Sequence, residues 1–470
     1  PGLTFDGDPG FADGQGQKNK WTNFSPRIGF AWDATGDGRT SIRASVGTFF
    51  DYPPAIYQRS LTTVPPWNKR IQLGDIDWMD PWAGYPGGDP GLQAYGGDVP
   101  VSTPWTLGGI TTSMDYDSPN MAVTQWNLGI QKQVGQDWMV SATYMGNATR
   151  HMWGTQHINP VIYVPGNGDA KGNCFLDGAT VNFTVKPGKE CSSRKTGNRN
   201  DRRKLSIFPT VPDSVSKWFG PVGKIDTGGT ASYNGLVLGV QHRPATGITL
   251  NVNYTWSHCI TDPYQYVVNG GNADNGWIDS NNRTYDRGDC SEGTSAATDR
   301  RQLMNISGRA ESPEFSNATA RAVFGNWSVA PILRWNTGAA LNVTRGTRDD
   351  ARVFMRDQRP NVVMDNIYGD GTPGNFLNPA AFKTPPRGVL GNLSKGAVRG
   401  PGTWQFDVAL SRAFPLGETT RIEVRAEAFN LTNSTRLNNP ELRHDRGNTF
   451  GKVRSVRDPR IMQFALKFFF

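Results

Sequence analysis

Residues 460–470 read RIMQFALKFFF. Met462, Phe464, Leu466, Phe468 and Phe470 fall on one parity, and Ile461, Gln463, Ala465, Lys467 and Phe469 fall between them. A strand sends successive side chains to opposite faces, so this stretch carries one continuous apolar face and one mixed face. In water such an edge invites aggregation. In a membrane-spanning barrel the same strand is paired on both sides and turns its apolar face to lipid. The stretch therefore predicts a transmembrane β-strand, and a barrel requires that the pattern recur.

It recurs throughout the chain. Alternation of period two places strands near 24–33, 40–50, 121–133, 138–147, 232–242, 247–258, 300–311, 326–337, 404–413, 419–430 and 460–470. The clearest runs from Gly247 to His258, where Ile248, Leu250, Val252, Tyr254 and Trp256 alternate with Thr249, Asn251, Asn253, Thr255 and Ser257. Aromatics at both ends of an apolar band, as between Trp126 and Trp138, match an interfacial girdle. Pro331 inside the 326–337 strand requires a bulge or a locally unpaired position. A soluble sandwich with its polar face outward would also alternate. The connections separate the two readings. Short ones lie near 34–39, 134–137, 243–246, 312–325 and 414–418, and long ones at 51–120, 148–231, 259–299, 338–403 and 431–459. Strict alternation of short and long is the pattern of an outer-membrane barrel, with tight periplasmic turns and large extracellular loops. The expected fold is an all-β, antiparallel transmembrane barrel wall of about eleven strands.

Composition agrees. Only 36% of the 470 residues are hydrophobic, the mean hydropathy is −0.52, and no run of 18 apolar residues exists to form a spanning helix. Barrel strands hide their apolar residues by alternation, so this absence does not count against a membrane. The formal net charge is +8, yet no basic–aromatic motif accompanies it, and nucleic acid is not an expected partner. Cys174, Cys191, Cys259 and Cys290 all fall in loops without C-x-x-C spacing, which points to two disulfides in an oxidising compartment. Sequence-adjacent pairing gives Cys174–Cys191 and Cys259–Cys290, one of three possible connectivities. The chain opens at Pro1 in a Gly/Asp-rich stretch with neither an initiator Met nor a signal peptide, and reads as the C-terminal part of a longer protein.

No catalytic residues, metal site or cofactor motif emerge. P-loop, H-E-x-x-H and G-x-S-x-G patterns are missing. The five histidines are scattered, and His258 beside Cys259 reads as a strand-end residue next to a disulfide. Asp6 to Asp13 and Asp365 to Asn375 lack the spaced D-x-D-x-D-G pattern of calcium loops. Asp407, Glu423 and Glu427 alternate with Arg421 and Arg425, so they read as ion pairs facing a hydrated lumen rather than as catalytic carboxylates. The basic run Ser192 to Lys204 reads as a solvated surface, with contact to phosphate-bearing lipopolysaccharide as the sharper reading. Trp67, Trp78, Trp82, Tyr85 and Trp105 crowd one long loop and are the expected ligand contacts. Packing of that loop against itself is the competing role.

The stretches SYNGLVLGVQHR, GITLNVNYTWSHCITD, DRRQLMNISG, FLNPAAFKTPP, GAVRGPGTWQFDVALSRAF, IEVRAEAFNLTN and DPRIMQFALKFFF resemble, as an ordered set, the C-terminal barrel half of TonB-dependent receptors. The nearest resemblance is to the Oar-like group, whose members carry an N-terminal carboxypeptidase-regulatory-like domain. That resemblance implies a barrel of about 22 strands and a plug moved by the TonB complex. About eleven strands would then be half of the wall, an open curved sheet, and no plug or TonB box is present in this chain. The final strand, with Phe464, Leu466, Phe468 and Phe470, resembles the signal read by the barrel assembly machinery. The implied location is the outer membrane of a Gram-negative bacterium, among lipid and lipopolysaccharide. The implied function is uptake of an oligosaccharide, peptide or siderophore. A non-transporting adhesive surface barrel and a secreted all-β binding protein are the alternatives.

Overall fold

The computed structural model describes residues 17–53, 77–83, 88–89, 109–178, 183–192, 198–208, 219–244, 247–262, 276–279, 281–292, 296–297, 299–345, 358–417 and 419–470. Eleven strands form a meander in which each pairs with its sequence neighbour: β1 (Arg27–Asp33), β2 (Thr40–Asp51), β3 (Met121–Val134), β4 (Trp138–His157), β5 (Phe219–His242), β6 (Ile248–Thr261), β7 (Gln302–Glu311), β8 (Trp327–Asn336), β9 (Thr403–Pro415), β10 (Arg421–Phe429) and β11 (Ile461–Phe469). All ten neighbouring pairs are antiparallel. Two more short strands join the sheet off this path, one of them Gly109–Met114. No helix among the described residues is long and apolar enough to cross a membrane, which says nothing of strands.

The register gives the sheet two faces of different chemistry. On one, Trp32, Ile42, Ile130, Ala142, Leu238, Tyr254, Met304, Trp335 and Trp404 are successive partners from β1 to β9. One residue away on each strand, the opposite face carries Asp33, Ser41, Gln131, Ser141, Gly239, Asn253, Asn305, Arg334 and Gln405, also in unbroken register. A slip of one residue in any strand would break both rows, so the alternation fixes the register.

Among the described residues the apolar row meets no second layer of protein. Phe464 and Leu466 are 74% and 73% exposed, and Ile28, Phe30, Trp32, Leu128, Ile130 and Leu238 are exposed as well. Among the described residues, the buried hydrophobic clusters lie at the long-loop end. One joins Leu341, Val343, Leu377, Phe382, Leu393, Val398 and Phe450, and another gathers Met121, Met152, Trp153 and Ile225. A sandwich would bury its apolar face against a partner sheet. Among the described residues this sheet leaves it bare, as a wall that faces lipid would. Aromatics mark both limits of the band, with Trp32, Trp138 and Phe414 toward the short turns and Trp256, Trp335 and Trp404 toward the long loops. Trp126 lies over its cross-strand partner Gly146, where an added Cβ would come within 2.6 Å of the indole and displace it.

The sheet is open, because β1 and β11 do not pair. Both run from the long-loop end to the short-turn end, since an odd number of antiparallel strands separates their directions by an even number of reversals. Joining them would make a parallel pair. An all-antiparallel closure requires further strands between them.

Several details depart from the sequence expectation. β4 and β5 run on to His157 and back to Phe219, well beyond the expected 138–147 and 232–242, and rise past the apolar band. Gly109–Met114, expected within a loop, pairs in parallel with the outer part of β5. The expected short turn 312–325 holds a helix, Ala318–Phe324, whose N-cap Asn317 accepts hydrogen bonds from Thr319 N and Ala320 N. Pro331 has a ladder partner in β9 but none in β7, so its missing N–H costs nothing there. The first turn is closed by Asp33, whose carboxylate accepts hydrogen bonds from Gly36 N at 3.1 Å and Gly38 N at 2.7 Å.

Both disulfides form, Cys174–Cys191 within the second long loop and Cys259–Cys290 between the outer end of β6 and the loop that follows it, which places Cys259 in a strand and not in the expected loop. They close segments of 17 and 31 residues. Replacing Cys259 and Cys290 together with serine is expected to lower the stability of the long-loop assembly by about 3 kcal/mol. Urea titration followed through a probe in that assembly reads the loss, and an unchanged midpoint would contradict it.

Candidate functional site

The polar face and the long-loop end that crowns it carry the charged side chains singled out in the sequence. Arg421, Glu423, Arg425 and Glu427 share that face in β10, opposite Phe469, Lys467, Ala465 and Gln463 of β11. The pairing differs from a simple charge ladder. Arg425 bonds Glu427 at 2.6 Å, whereas Arg421 stacks over the Phe469 ring at 4.4 Å. Asp407 lies on the same face in β9, nearly buried, and accepts hydrogen bonds from Gln405 Nε2 at 2.7 Å and Asn430 N at 2.8 Å. Arg334 stands 3.8 Å from its other oxygen. The five charged residues expected on one wall are thus on one face of the sheet.

Above the strands the long loops are stapled by buried polar contacts. Asp289 gathers His258 Nε2 at 2.8 Å, Arg301 at 3.1 Å and Arg399. Arg399 also reaches Asp299, which is 2.8 Å away and buried. This ties the end of β6 to the loops before β7 and before β9. Deeper in, Arg359 and Asp286 form an ion pair at 2.9 Å with both side chains fully buried. Burial pushes the Asp286 carboxyl up from its usual range, and the Arg359 charge pulls it partly back. His157, at the outer end of β4 beyond the apolar band, is pushed down to about 3 by burial and then by Arg203.

The basic run departs in part from the sequence expectation, since Lys204 is exposed as expected while two arginines are not. Arg202 and Arg203 are buried rather than solvated. Arg202 donates to Asn198 Oδ1, Ile162 O and Ser192 Oγ, and Arg203 to Asn159 O and Asn200 Oδ1. They hold the loop together and present nothing to a phosphate. Residues 193–197 of that run lie outside the described residues.

Of the aromatics expected to contact ligand, Trp67, Tyr85 and Trp105 lie outside the described residues. Trp78 is 86% exposed, and Trp82 is partly buried in the adjoining turn. Other tryptophans at the long-loop end pack inward, Trp153 in the outer part of β4 and Trp277 in a loop. Trp153 and Trp277 are among the most buried side chains, and Arg283 lies 4.5 Å above the Trp277 ring. A shallow groove of about 420 Å³ is lined by Tyr254, Gln302, Met304, Leu333, Trp335 and Trp404. It opens on the apolar face, not the polar one. Among the described residues no three His, Cys, Asp or Glu side chains are placed to share a metal ion.

Solved structures similar to this chain are described as transporters and receptors. They include the outer membrane transporter YddB from Escherichia coli (8% identity, TM-score 0.43, 95% of this chain and 40% of that one). The FrpB iron transporter from Neisseria meningitidis matches at 11% identity and TM-score 0.39, over 94% of this chain and 38% of that one. The siderophore receptor PirA from Acinetobacter baumannii matches at 8% and 0.39, over 95% and 41%. The chain thus spans about two fifths of the length of these proteins. No curated protein matches it in sequence. The family model for the outer membrane beta barrel domain matches residues 1–463. An exposed apolar row backed by a polar one is the pattern of transmembrane barrel strands, and the chain belongs to the outer membrane beta barrel domain family.

Proposed function

We propose that this chain is the C-terminal half of the wall of a TonB-dependent importer of the Oar-like group, in the outer membrane of a Gram-negative bacterium. The plug and the remaining strands would come from the rest of the protein. The observation that carries the reading is the polar row from Asp33 to Gln405, unbroken across nine strands. A wetted wall that wide belongs to a large barrel, because barrels of about eight strands fill their interiors with side chains while those of about 22 strands enclose a plugged lumen. In this reading Asp407, Arg421, Glu423, Arg425 and Glu427 face the lumen. The long loops 51–120, 148–231, 259–299, 338–403 and 431–459 are extracellular and capture the solute. Trp67, Trp78, Trp82, Tyr85 and Trp105 offer it large rigid faces at low entropic cost. Phe464, Leu466, Phe468 and Phe470 form the stripe that the barrel assembly machinery would read, and lipid and lipopolysaccharide cover the outside. The solute is an oligosaccharide, a peptide or a siderophore.

Uptake tests this. Cells carrying the full-length protein should accumulate at least one labelled member of a panel of oligosaccharides, peptides and ferric siderophores, and should stop when TonB is deleted. Accumulation that survives the deletion sinks the importer reading. Attachment to surfaces without any uptake would favour an adhesive barrel.

A further inference from the structure

Arg300 and Arg436 reach the outer ends of β8 and β9, at Asn336 and Gln405, and Arg457 lies beside Arg436. Arg436 and Arg457 lie opposite each other across an antiparallel contact between the start and the end of the loop joining β10 to β11. Arg457 N donates to Arg436 O at 2.8 Å, and the next residues, Leu437 and Val456, bridge in the same register. Like charges placed directly opposite destabilise a β pair. Arg436 donates to Gln405 Oε1 and, at 2.7 Å, to Asp458 O, while its Nε is buried with no acceptor. Arg300 donates to Asn336 Oδ1 at 2.7 Å and Thr337 O at 3.2 Å. Burial and then the charge of Arg457 hold Arg300 below the usual arginine range. Among the described residues no carboxylate comes within ion-pair distance of any of the three. Asp407, on the same face of β9, is already taken by Gln405, Asn430 and Arg334.

The acceptors show where the cluster points. Gln405 lies in the polar row beside Arg334, and Asn336 pairs with Thr403 on that same face. Folding therefore brings three cations to the outer end of the polar face, with neutral acceptors holding two of them in place. Fixed guanidinium groups of this kind match the geometry of a carboxylate or phosphate.

We propose that Arg300, Arg436 and Arg457 form a subsite for an oxyanion, the carboxylate or phosphate group of a solute entering along the polar face. That the anion belongs to a transported solute rests on the importer reading, whereas the binding itself does not. Thermal unfolding of the full-length protein in detergent, at constant ionic strength, tests it with citrate and inorganic phosphate as probes and maltohexaose as the uncharged control. Citrate or phosphate should raise the Tm of the wild type, and the affinity so measured should fall at least tenfold in Arg436→Gln and Arg457→Gln. Without anion, Arg457→Gln should unfold at a higher temperature than the wild type, because the opposed pair is relieved. Arg43→Gln, which removes a polar-face charge from β2, should leave the anion effect intact. The proposal is overturned if citrate and phosphate act no differently from maltohexaose, or if Arg457→Gln lowers the anion-free Tm, as it would for an arginine satisfied within the protein. Stabilisation only by vesicles containing a phosphorylated glycolipid overturns the placement on the polar face. Anion binding without TonB-dependent uptake would remove the importer reading and leave the subsite standing.

Discussion

Leu238→Arg is expected to destabilise the lipid-embedded protein by about 2–4 kcal/mol, the cost of a cation facing hydrocarbon near the bilayer midplane. Leu238 sits midway along the part of β5 that carries the apolar row, between Ala142 and Tyr254, and is 40% exposed. Its exposure in a bare sheet is what makes the substitution costly in a membrane, since lipid and not protein covers it. Asn253→Arg is the matched control. Asn253 belongs to the polar row, between Gly239 and Asn305, where water can solvate the new charge. Its expected cost is within about 1 kcal/mol, as for ordinary surface changes. Equilibrium unfolding in bilayers separates the two. Equal costs, or a larger cost for Asn253→Arg, would reverse the assignment of the faces.

The second large effect lies outside the membrane. Arg359→Ala should cost about 3–5 kcal/mol, because it leaves Asp286 charged, buried and uncompensated. The Arg359 guanidinium also donates from Nε to Leu393 O at 2.7 Å and lies 3.9 Å above the Tyr285 ring. Asp286 in turn accepts from Ile278 N. The pair therefore joins the loop before β7 to the loop before β9. The loss should appear as faster hydrogen exchange in 277–290 and 358–395, with the strand amides of β6 to β9 still protected, since such units open locally. Replacing both partners together, as in Asp286→Leu with Arg359→Met, should recover much of the loss. If Arg359→Ala leaves exchange in both segments unchanged, the pair does not hold the loops.

The wall was legible because its chemistry is local. Residues 247–258 declare a two-faced strand by alternation alone, and the terminal stretch 460–470 declares which face is bare. What escaped was held by distant partners. The outer half of β5, FGPVGKIDTGGT, carries Pro221 and several glycines and has no alternation of its own. It is a strand because β4 and Gly109–Met114 flank it. The helix at Ala318–Phe324 did have a local signal, an Asn before an alanine-rich run, of the kind that marks an N-cap. Arg202, Arg203 and Arg359 look solvated in sequence, and only the folded loops show them buried against carbonyls and, for Arg359, a carboxylate. The arginine subsite had no signature at all, since Arg300 and Arg457 are 157 residues apart in the chain. The approach of Arg300 to Asn336 and of Arg436 to Gln405 depends on where two loops end.

The central claim is that hydrocarbon covers the apolar row and water the row behind it. Single spin labels placed in turn at residues 236 to 241 of β5, in the protein reconstituted into outer-membrane lipid, measure this directly. Labels at 236, 238 and 240 should collide preferentially with dissolved oxygen, and labels at 237, 239 and 241 with a water-soluble nickel chelate. The loss of that two-residue alternation, or its appearance in the opposite phase, would contradict the account.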